Sequence, residues 1–532
     1  MNASRERDLS LGIDVGGTNT DAVILNGAGE VIAWTKQPTT DDVTGGIRAA
    51  MAVVLDEIGD ERDRVSRVMM GTTHATNAIV ARRNLGRVAV IRLGAPAATE
   101  YPPLSGWPTD LRASVLAGSA TLPGGHMVDG VPISPLDRDG IRRFLDGIEG
   151  GFDAVAVCGI FSPSFPEQEI EVGALIHEHV GTHMPVSLSQ DIGAVGLLER
   201  ENATVLNAAL YGVAREVTNA LLVVVDEQGL DAVTFFAQND GTLMALDFAA
   251  QYPVLTIGSG PANSIRGAAY LSGTQNAIVV DVGGTTSDLG VVVGGFPRES
   301  TLPREIGGVR TNFRMPDILS VGIGGGTVIN TSTGAVGPTS VGHRINTESL
   351  LFGGSTATLT DAAALVSSPV AGHSLPSLAA PLRSKLEGGL ALAHSRLEEA
   401  VERLSLGRID LPLVVVGGGG FLVPERLLGA STIVRPNHGG VANAVGAAIS
   451  LVGGRADQIS DFEDRDAAIE AASKAAIEKA IHAGADPLQV AVVDVLETPV
   501  SYSARHTIKV SVKAAGPLAR LGARPETPAL RL

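Results

Sequence analysis

The chain has 532 residues and a formal net charge of −17; 44% of its residues are hydrophobic but only 4% are aromatic. This acidic balance speaks against a nucleic-acid or anionic-membrane partner, for which a basic face is expected, and the single cysteine, Cys158, excludes an internal disulfide framework and any cysteine-rich metal site. The length suggests roughly three or four domains or subdomains, and the 65 glycines, which follow no fixed period, read as many tight strand-to-loop turns.

The charged segment Met1–Ser10 leads straight into a strand, LSLGID, and no apolar run of about 18 residues follows anywhere, so a soluble cytoplasmic protein is expected. A glycine turn, VGGTNT, and a second strand, DAVIL, come next, then the hairpin turn Asn26–Glu30 and the strand VIAWTKQP. Apolar spacing predicts a helix over Thr44–Ile58. VSRVMM is a strand that ends in the polar turn GTTHATNA and opens a helix at about Thr76, with Thr76 as its cap. VAVIRLG is a further strand, whereas residues 95–135, rich in Gly, Pro and Ser, read as an insertion or surface loop. Residues 151–160 form a buried strand, in which Cys158 is a small core residue rather than a nucleophile. The helix over 166–180 leads to His177, His179 and His183, spaced like weak metal ligands but set on an amphipathic pattern that reads as a solvated face.

A long apolar helical stretch spans Val195–Gln228, followed by a strand at 232–238. From Ala277 the pattern strand, glycine turn, strand restarts. Residues 322–356 read as loops over a site, 377–405 as an amphipathic helix, and LPLVVVGGGG as a buried strand ending in Gly417–Gly420. Ile459–Gly484 reads as an Ala-rich charged helix, VAVVDVLE and TIKVSVKA as terminal strands, and the tail from Gly516 as loosely ordered.

The repeat carries the most information: DVGGTNTD runs from Asp14 to Asp21 and DVGGTTSD from Asp281 to Asp288, each between β-branched strands. The paired glycines Gly16, Gly17 and Gly283, Gly284 let the backbone approach a ligand and aim successive N–H groups at it. Thr18, Asn19, Thr20, Thr285 and Thr286 add polar donors, and such groups bind phosphate oxygens. A carboxylate beside phosphates needs a cation between them, so Asp14 and Asp281 are candidate Mg²⁺ ligands through water. No G-x-x-x-x-G-K-[ST] occurs, and strands rather than a helix follow the turns, which excludes a P-loop and a Rossmann fingerprint. Gly417, Gly418, Gly419 and Gly420 resemble an adenosine-binding turn before a helix, or form a tight strand–helix turn.

With the two DVGGT turns in place, the stretches GTTHATNA, LLERENATVLNAAL, SGPANSIRGAAY, RMPDILSVGIGGG and TATLTDAAAL resemble the hydantoinase/oxoprolinase family, within the actin/hexokinase/chaperone ATPase superfamily. The chain differs from the family pattern at Asn19, where an aromatic is usual, and at Leu319, where a histidine is usual. The resemblance implies an α/β fold of duplicated actin/hexokinase-like (ribonuclease H-like) lobes, with mixed sheets flanked by helices and inserted and C-terminal α+β subdomains. The expected divisions are 1–200 with the first phosphate turn, 201–455 with the second and the GGGG turn, and a small segment at 456–532.

The activity it implies is ATP-dependent, Mg²⁺-assisted opening of a small cyclic amide such as 5-oxoproline or a hydantoin, in which phosphoryl transfer to the amide oxygen makes the carbon open to water. A second hydantoinase-type subunit, a homo-oligomer, or both are the implied partners. Two other readings stay open: an ATPase that energises a partner, and a small-molecule kinase. Asp21 and Asp288 either cap the turns or approach the transferring group. Thr72, Thr73 and Asn77 form a candidate substrate turn, with His74 as an acid/base candidate. Asp317 is a catalytic candidate and Asp361 a substrate candidate; Glu199 and Arg200 either position substrate or form a helix-surface ion pair.

Overall fold

The computed structural model describes residues 8–519 except 41, 194–195, 301–302, 313–314, 367–369, 371 and 501–505. The β-branched opening forms β1 (Leu9–Val15), β2 (Asn19–Leu25) and β3 (Val31–Pro38), paired antiparallel in sequence. The helix α1 (Val43–Ile58) starts one residue before its expected bound because the Asp42 side chain caps it, accepting from the N–H groups of Thr44 and Gly45. The strand β4 (Val65–Thr72) returns parallel to β1, and α2 (His74–Ala81) follows.

The next strands make a separate parallel sheet in the order β6-β5-β7-β8. Its members are β5 (Val88–Ala95), β6 (Leu116–Pro123), β7 (Ala154–Gly159) and β8 (Val186–Leu188), with α3 (Thr109–Val115), α4 (Arg138–Asp146) and α5 (Glu167–Val180) between them. The span 95–135 therefore contains a helix and a strand rather than a bare loop. β6 is half-buried along its whole length, so its own pattern carries no alternation and its pairing with β5 decides its state.

The expected stretch Val195–Gln228, whose first residue lies outside the described ones, is two helices, α6 (Leu197–Ala209) and α7 (Tyr211–Glu227), bent by 49°. No Gly or Pro marks the break; the N–H of Leu210 is shared between the carbonyls of Leu206 and Asn207, which tightens the last turn. Among the described residues no single helix is long and apolar enough to cross a membrane; this bent pair passes by length and composition only. Then come β9 (Val233–Ala237), β10 (Leu243–Ala245), α8 (Leu246–Gln251) and α9 (Ser259–Ser272).

The second lobe repeats the first. β11 (Ala277–Val282) and β12 (Ser287–Val293) pair so that Asp281 stands opposite Asp288, as Asp14 stands opposite Asp21. β13 (Phe296–Pro297), the hairpin of β14 (Arg304–Ile306) and β15 (Val309–Thr311), β16 (Leu319–Val321), the hairpin of β17 (Thr327–Ile329) and β18 (Val336–Ser340), α10 (Ile345–Glu348) and α11 (Leu359–Val366) follow. α12 (Ala380–Ser405), β19 (Leu413–Val416), β20 (Ile433–Val434) and α13 (Ala442–Ala448) complete it. β13, β12, β11, β19 and β20 lie side by side in that order, with β16 also on β12.

The C-terminal elements β21 (Val452–Asp461), α14 (Arg465–His482), β22 (Ala491–Pro499) and β23 (Thr507–Gly516) go back to the first lobe. Its sheet has nine strands in the order β22-β23-β21-β10-β9-β4-β1-β2-β3, so it takes strands from both sides of the bounds expected at 200 and 455. The start of the helix expected over Ile459–Gly484 belongs to β21, because β21 pairs with β23 along its full length. Gly516 closes β23, and of the expected loose tail residues 520–532 lie outside the described ones.

The lobes meet at a helix crossing, among other contacts such as Arg82 to Gly307 O and Asn202 to Arg310 O. α13 packs on β1, β2 and β4, α9 packs on β11, β12 and β19, and the two helices meet each other. A Cβ on Gly267 would stand 1.8 Å from the carbonyl oxygen of Ala442, and one on Gly446 would stand 1.8 Å from that of Asn263. Gly267→Ala and Gly446→Ala are each expected to lower stability by about 1–3 kcal/mol or more through overpacking. Gly388→Ala, on the exposed face of α12 where nothing lies within 4 Å, should raise it by about 0.5–1 kcal/mol. Denaturant midpoints of the three variants check this; a neutral Gly446→Ala would contradict the crossing.

Candidate active site

The duplicated turns close with the same backbone bond, Gly16 N–H to Asn19 O at 3.0 Å and Gly283 N–H to Thr286 O at 2.9 Å. Gly17 and Thr18 in one, and Gly284, Thr285 and Thr286 in the other, are exposed, which suits a ligand approached by backbone N–H groups. Thr20 is a correction: it is fully buried on β2 and its hydroxyl bonds that of Thr39 at 3.2 Å, which in turn donates to Gly16 O at 2.8 Å, so Thr20 backs the turn from inside rather than facing the open side. Part of the loop region 322–356 does lie against the second turn, with Gly325 N–H donating to Gly283 O at 3.0 Å and Gly326 N–H to Gly284 O at 2.7 Å.

Each turn is preceded by an aspartate, buried at Asp14 and half-buried at Asp281, held by the crossing helix that packs on its own sheet. Asp14 Oδ2 accepts from Asn443 Nδ2 of α13 at 2.8 Å, and Asp281 Oδ2 accepts from Ser264 Oγ of α9 at 2.6 Å. Burial first, then the charge of Asp21, pushes the Asp14 carboxyl up to about 7; Asn443 and Lys36 act against this and Asp281 adds to it. Burial likewise raises Asp281. Asp21 caps no turn: its carboxylate takes Lys36 Nζ at 2.6 and 2.7 Å, and burial raises it while Lys36 lowers it. Asp288 accepts from Ser320 Oγ at 2.5 Å and is raised by burial. Lys36, Asn443 and Ser264 were not singled out from the sequence. Only Lys36 had a signal there, since a two-stranded hairpin through Asn26–Glu30 sets it opposite Asp21.

The third glycine cluster joins the second aspartate. Gly417 has φ +84, and a Cβ on it would lie 2.2 Å from Asp281 Oδ1, so only glycine fits. A cavity of about 270 Å³ opens beside it, lined by Gly417, Gly418, Gly420, Phe421, Arg435 and Gly439 among others. Gly419 instead donates its N–H to Val282 O at 2.8 Å. The element after the cluster is only a short 3-10 turn, Gly420–Leu422, rather than a helix. Arg435 and Gly439 are lining residues that the strand–glycine pattern did not point to.

The GTTHATNA turn sits beside the first phosphate turn, with Thr72 paired to Val15 and the Thr73 N–H and hydroxyl both donating to Val15 O at 3.2 Å. His74 Nδ1 bonds the Thr72 hydroxyl at 2.7 Å, and burial lowers its pKa, which favours the neutral ring. It lines an apolar cavity of about 20 Å³ with Val213, Val217 and Phe236, room for a single water. Asn77 Nδ2 donates to the Thr73 hydroxyl at 3.3 Å. Thr76 is not the helix cap: α2 starts at His74, and the Thr76 hydroxyl donates to Ile257 O at 2.7 Å.

Three candidates are tied elsewhere. Asp317 is paired with Arg298 at 2.8 Å and with Arg304, which neutralises its charge. Asp361 is fully buried, and its carboxylate accepts from the N–H groups of Leu351 and Thr358 at 2.7 Å and from the Thr358 hydroxyl at 2.8 Å, so it holds the start of α11 rather than a substrate. Arg200 is also fully buried, donating to Ser189 Oγ at 2.9 Å and to Gly159 O, so it is a core group rather than part of a helix-surface ion pair. Its neighbour Glu199 lies 3.7 Å from Arg310. Cys158 is buried in the core, its thiol pushed up to about 12 by burial. His177 bonds Met184 O, and His179 bonds Asp146 at 2.8 Å.

Among the described residues no group of three or more His, Cys, Asp or Glu is arranged to hold a metal. Asp14 Oδ1, however, is buried without a hydrogen-bond partner among the described residues. One free carboxylate oxygen beside a phosphate-type turn fits a Mg²⁺ ion that keeps its waters, for which Asp14 and Asp281 are the available carboxylates.

Comparison with known proteins fits this architecture. The model of the hydantoinase/oxoprolinase N-terminal region matches residues 10–180 and that of hydantoinase/oxoprolinase matches 200–368. The chain belongs to the hydantoinase/oxoprolinase family. Caprolactamase subunit alpha of Pseudomonas jessenii is 26% identical over 86% of this chain and 72% of its own length. The gamma subunit of acetophenone carboxylase from Aromatoleum aromaticum is 27% identical over 66% of this chain, and the chain spans only 52% of it. 5-Oxoprolinase 1 of Arabidopsis thaliana is 27% identical over 53% of this chain and 24% of its own length. The crystal structure of the ATP-dependent caprolactamase from P. jessenii superposes with a TM-score of 0.78 at 20% identity, covering 98% of this chain and 90% of that one, and so shares the two-lobed α/β fold.

The raised pKa of Asp14 has a signed consequence. The ordinary value is 3.8 and the folded value about 7, so between them the folded chain binds the proton better than the unfolded one, and stability falls as pH rises through that window. Asp14→Asn, which carries no charge to bury, should melt higher than the natural chain at about pH 8 in the absence of nucleotide, the gap closing towards about pH 5. A pH-independent gap in melting temperature would contradict this.

Proposed function

We propose that this chain opens a cyclic amide, 5-oxoproline, a hydantoin or a related lactam, by ATP-dependent hydrolysis, as one subunit of an assembly with a second hydantoinase-type chain. The observation that carries the reading is the pair of equivalent open glycine turns, each behind an aspartate held by a crossing helix, joined through α9 and α13. The likeness to a caprolactamase subunit and to a 5-oxoprolinase supports the substrate class, and the likeness to chains named as subunits of a caprolactamase and of two carboxylases supports the assembly.

An unstrained amide is a poor electrophile, and Mg²⁺·ATP, when bound, supplies the phosphoryl group that makes its carbonyl carbon open to water. The chain's own residues do the rest by position and charge. The exposed N–H groups of Gly17, Thr18, Gly284 and Thr285 would hold phosphate oxygens from both lobes. Gly417–Gly420, with Arg435, would receive the nucleoside. Asp14 and Asp281 would carry the waters of the cation, and Lys36, already on Asp21, would add positive charge. His74, neutral and bonded to Thr72 beside the first turn, is the group suited to accept a proton from the attacking water.

A second reading, an ATPase that energises a partner, is favoured by the likeness to carboxylase subunits. Phosphate release by the purified chain with lactams, hydantoins and 5-oxoproline, alone and with a second subunit, separates the two. Lactam-dependent release without a stable phosphorylated product is the expected result, and release indifferent to any cyclic amide would sink the first reading. Asp14→Ala and Asp281→Ala should each lower turnover by about a hundredfold or more, as loss of a charge-stabilising group does; unchanged rates in both would remove the cation assignment.

A further inference from the structure

The duplication sets the same row of side chains across three antiparallel strands in each lobe. In the first lobe the row is Asp14, Asp21 and Lys36, over β1, β2 and β3. In the second it is Asp281, Asp288 and Ser320, over β11, β12 and β16. Directly paired residues point to one face of a sheet, so each row faces its crossing helix. Leu319 and Val321, on either side of Ser320, pack on the core behind the sheet instead. The position that carries a lysine in one lobe therefore carries a hydroxyl in the other.

This difference leaves Asp21 and Asp288 in different states. Lys36 Nζ neutralises Asp21 at 2.6 Å. Asp288 Oδ1 instead accepts from Ser320 Oγ at 2.5 Å, and no cation among the described residues offsets its charge. Ser264, the other serine on an aspartate of this row, is buried, so its hydroxyl can only hold Asp281 in place. Ser320 is exposed, with the half-buried carboxylate behind it. An exposed hydroxyl that gives its hydrogen to a carboxylate is a nucleophile with its base already bonded. The chain that leaves Ser320 then runs along the open second turn, where the Gly325 and Gly326 N–H groups meet the carbonyls of Gly283 and Gly284. Hydroxyl, base and phosphate-type turn thus lie side by side.

We propose that Ser320 accepts the γ-phosphoryl group of a nucleoside triphosphate bound at the second turn, so that the chain phosphorylates itself when no cyclic amide is present. Ser320 Oγ bonds to the γ-phosphorus, the bond from that phosphorus to the β,γ-bridging oxygen breaks, and the nucleoside diphosphate leaves. The hydroxyl proton passes to Asp288. The phosphoserine then carries about two negative charges beside Asp288, and these repel the phosphates of the next nucleotide. The inference rests on the nucleotide reading above, but the modification is a separate outcome of that site.

The test incubates the full chain with ATP and Mg²⁺, without amide. Mass spectrometry follows the added phosphoryl group and its position, and ATP affinity is measured on the same samples. The expected result is one phosphoryl group on Ser320, gained at a rate per chain that does not change on dilution. Ser320→Ala should lose the modification and keep its affinity for ATP. Ser320→Thr, which keeps the hydroxyl, should be modified at the same position and guards against a variant that does not fold. Asp288→Asn should slow the gain by about a hundredfold or more, as loss of a general base does. The phosphorylated chain should bind ATP about tenfold more weakly, as a like charge close by requires, and phosphatase treatment should restore it. A natural chain that binds ATP but stays unmodified, or is modified at Thr285 or Thr286 instead, overturns this inference alone. So does a rate that falls on dilution, an unchanged rate in Asp288→Asn, or a phosphorylated chain of unchanged affinity. A natural chain that binds no ATP overturns the nucleotide reading with it.

Discussion

The crossing of α9 and α13 at Gly267 and Gly446 is the contact on which the rest of the site depends. A side chain at either glycine would meet a carbonyl oxygen at 1.8 Å, so the helices touch backbone to backbone. Close-packed interiors transmit such a constraint with little give. α13 lies on the first sheet and α9 on the second, and each also supplies the polar group that holds an aspartate. The spacing of the two phosphate-type turns is therefore set by a steric contact between two small residues rather than by the turns themselves.

Charge is handled locally around that contact. Asp14, Asp21, Asp281 and Asp288 are all raised by burial, and Lys36 is the cation that offsets them, on Asp21 by direct pairing and on Asp14 and Asp281 through space. A cluster with more carboxylates than cations is poised to bind positive charge, and the exposed N–H groups of the turns are poised to bind negative charge. A metal–phosphate ligand satisfies both. The same accounting separates the true site from look-alikes. Arg200, Asp317 and Asp361 are already satisfied by Ser189, by two arginines and by backbone N–H groups, and so have little left to offer a ligand.

The departures Asn19 and Leu319 fall in places that explain their tolerance. Asn19 begins β2 and its carbonyl closes the first turn, a backbone role open to many side chains. Leu319 pairs with Leu289 on β12 and packs against the second-lobe core, and its neighbour Ser320 reaches Asp288.

The sequence by itself determined the two glycine turns, the strands flanking them, the glycine run at Gly417–Gly420 and the family, because each depends on local chemistry: paired glycines, β-branched alternation and an aspartate at a fixed offset. It also placed α1 and α12 to within a few residues, since their apolar faces repeat with the helical period. Only the tertiary structure decided that β21, β22 and β23 return to the first sheet, that α6 and α7 break at Leu210, and that Asn443, Ser264 and Lys36 surround the aspartates. Asn443 is separated from Asp14 by 429 positions, and no local pattern carries a contact of that range. Burial and hydrogen-bond satisfaction belong to the folded chain as a whole, which is why the turns were legible and the residues that make them a site were not.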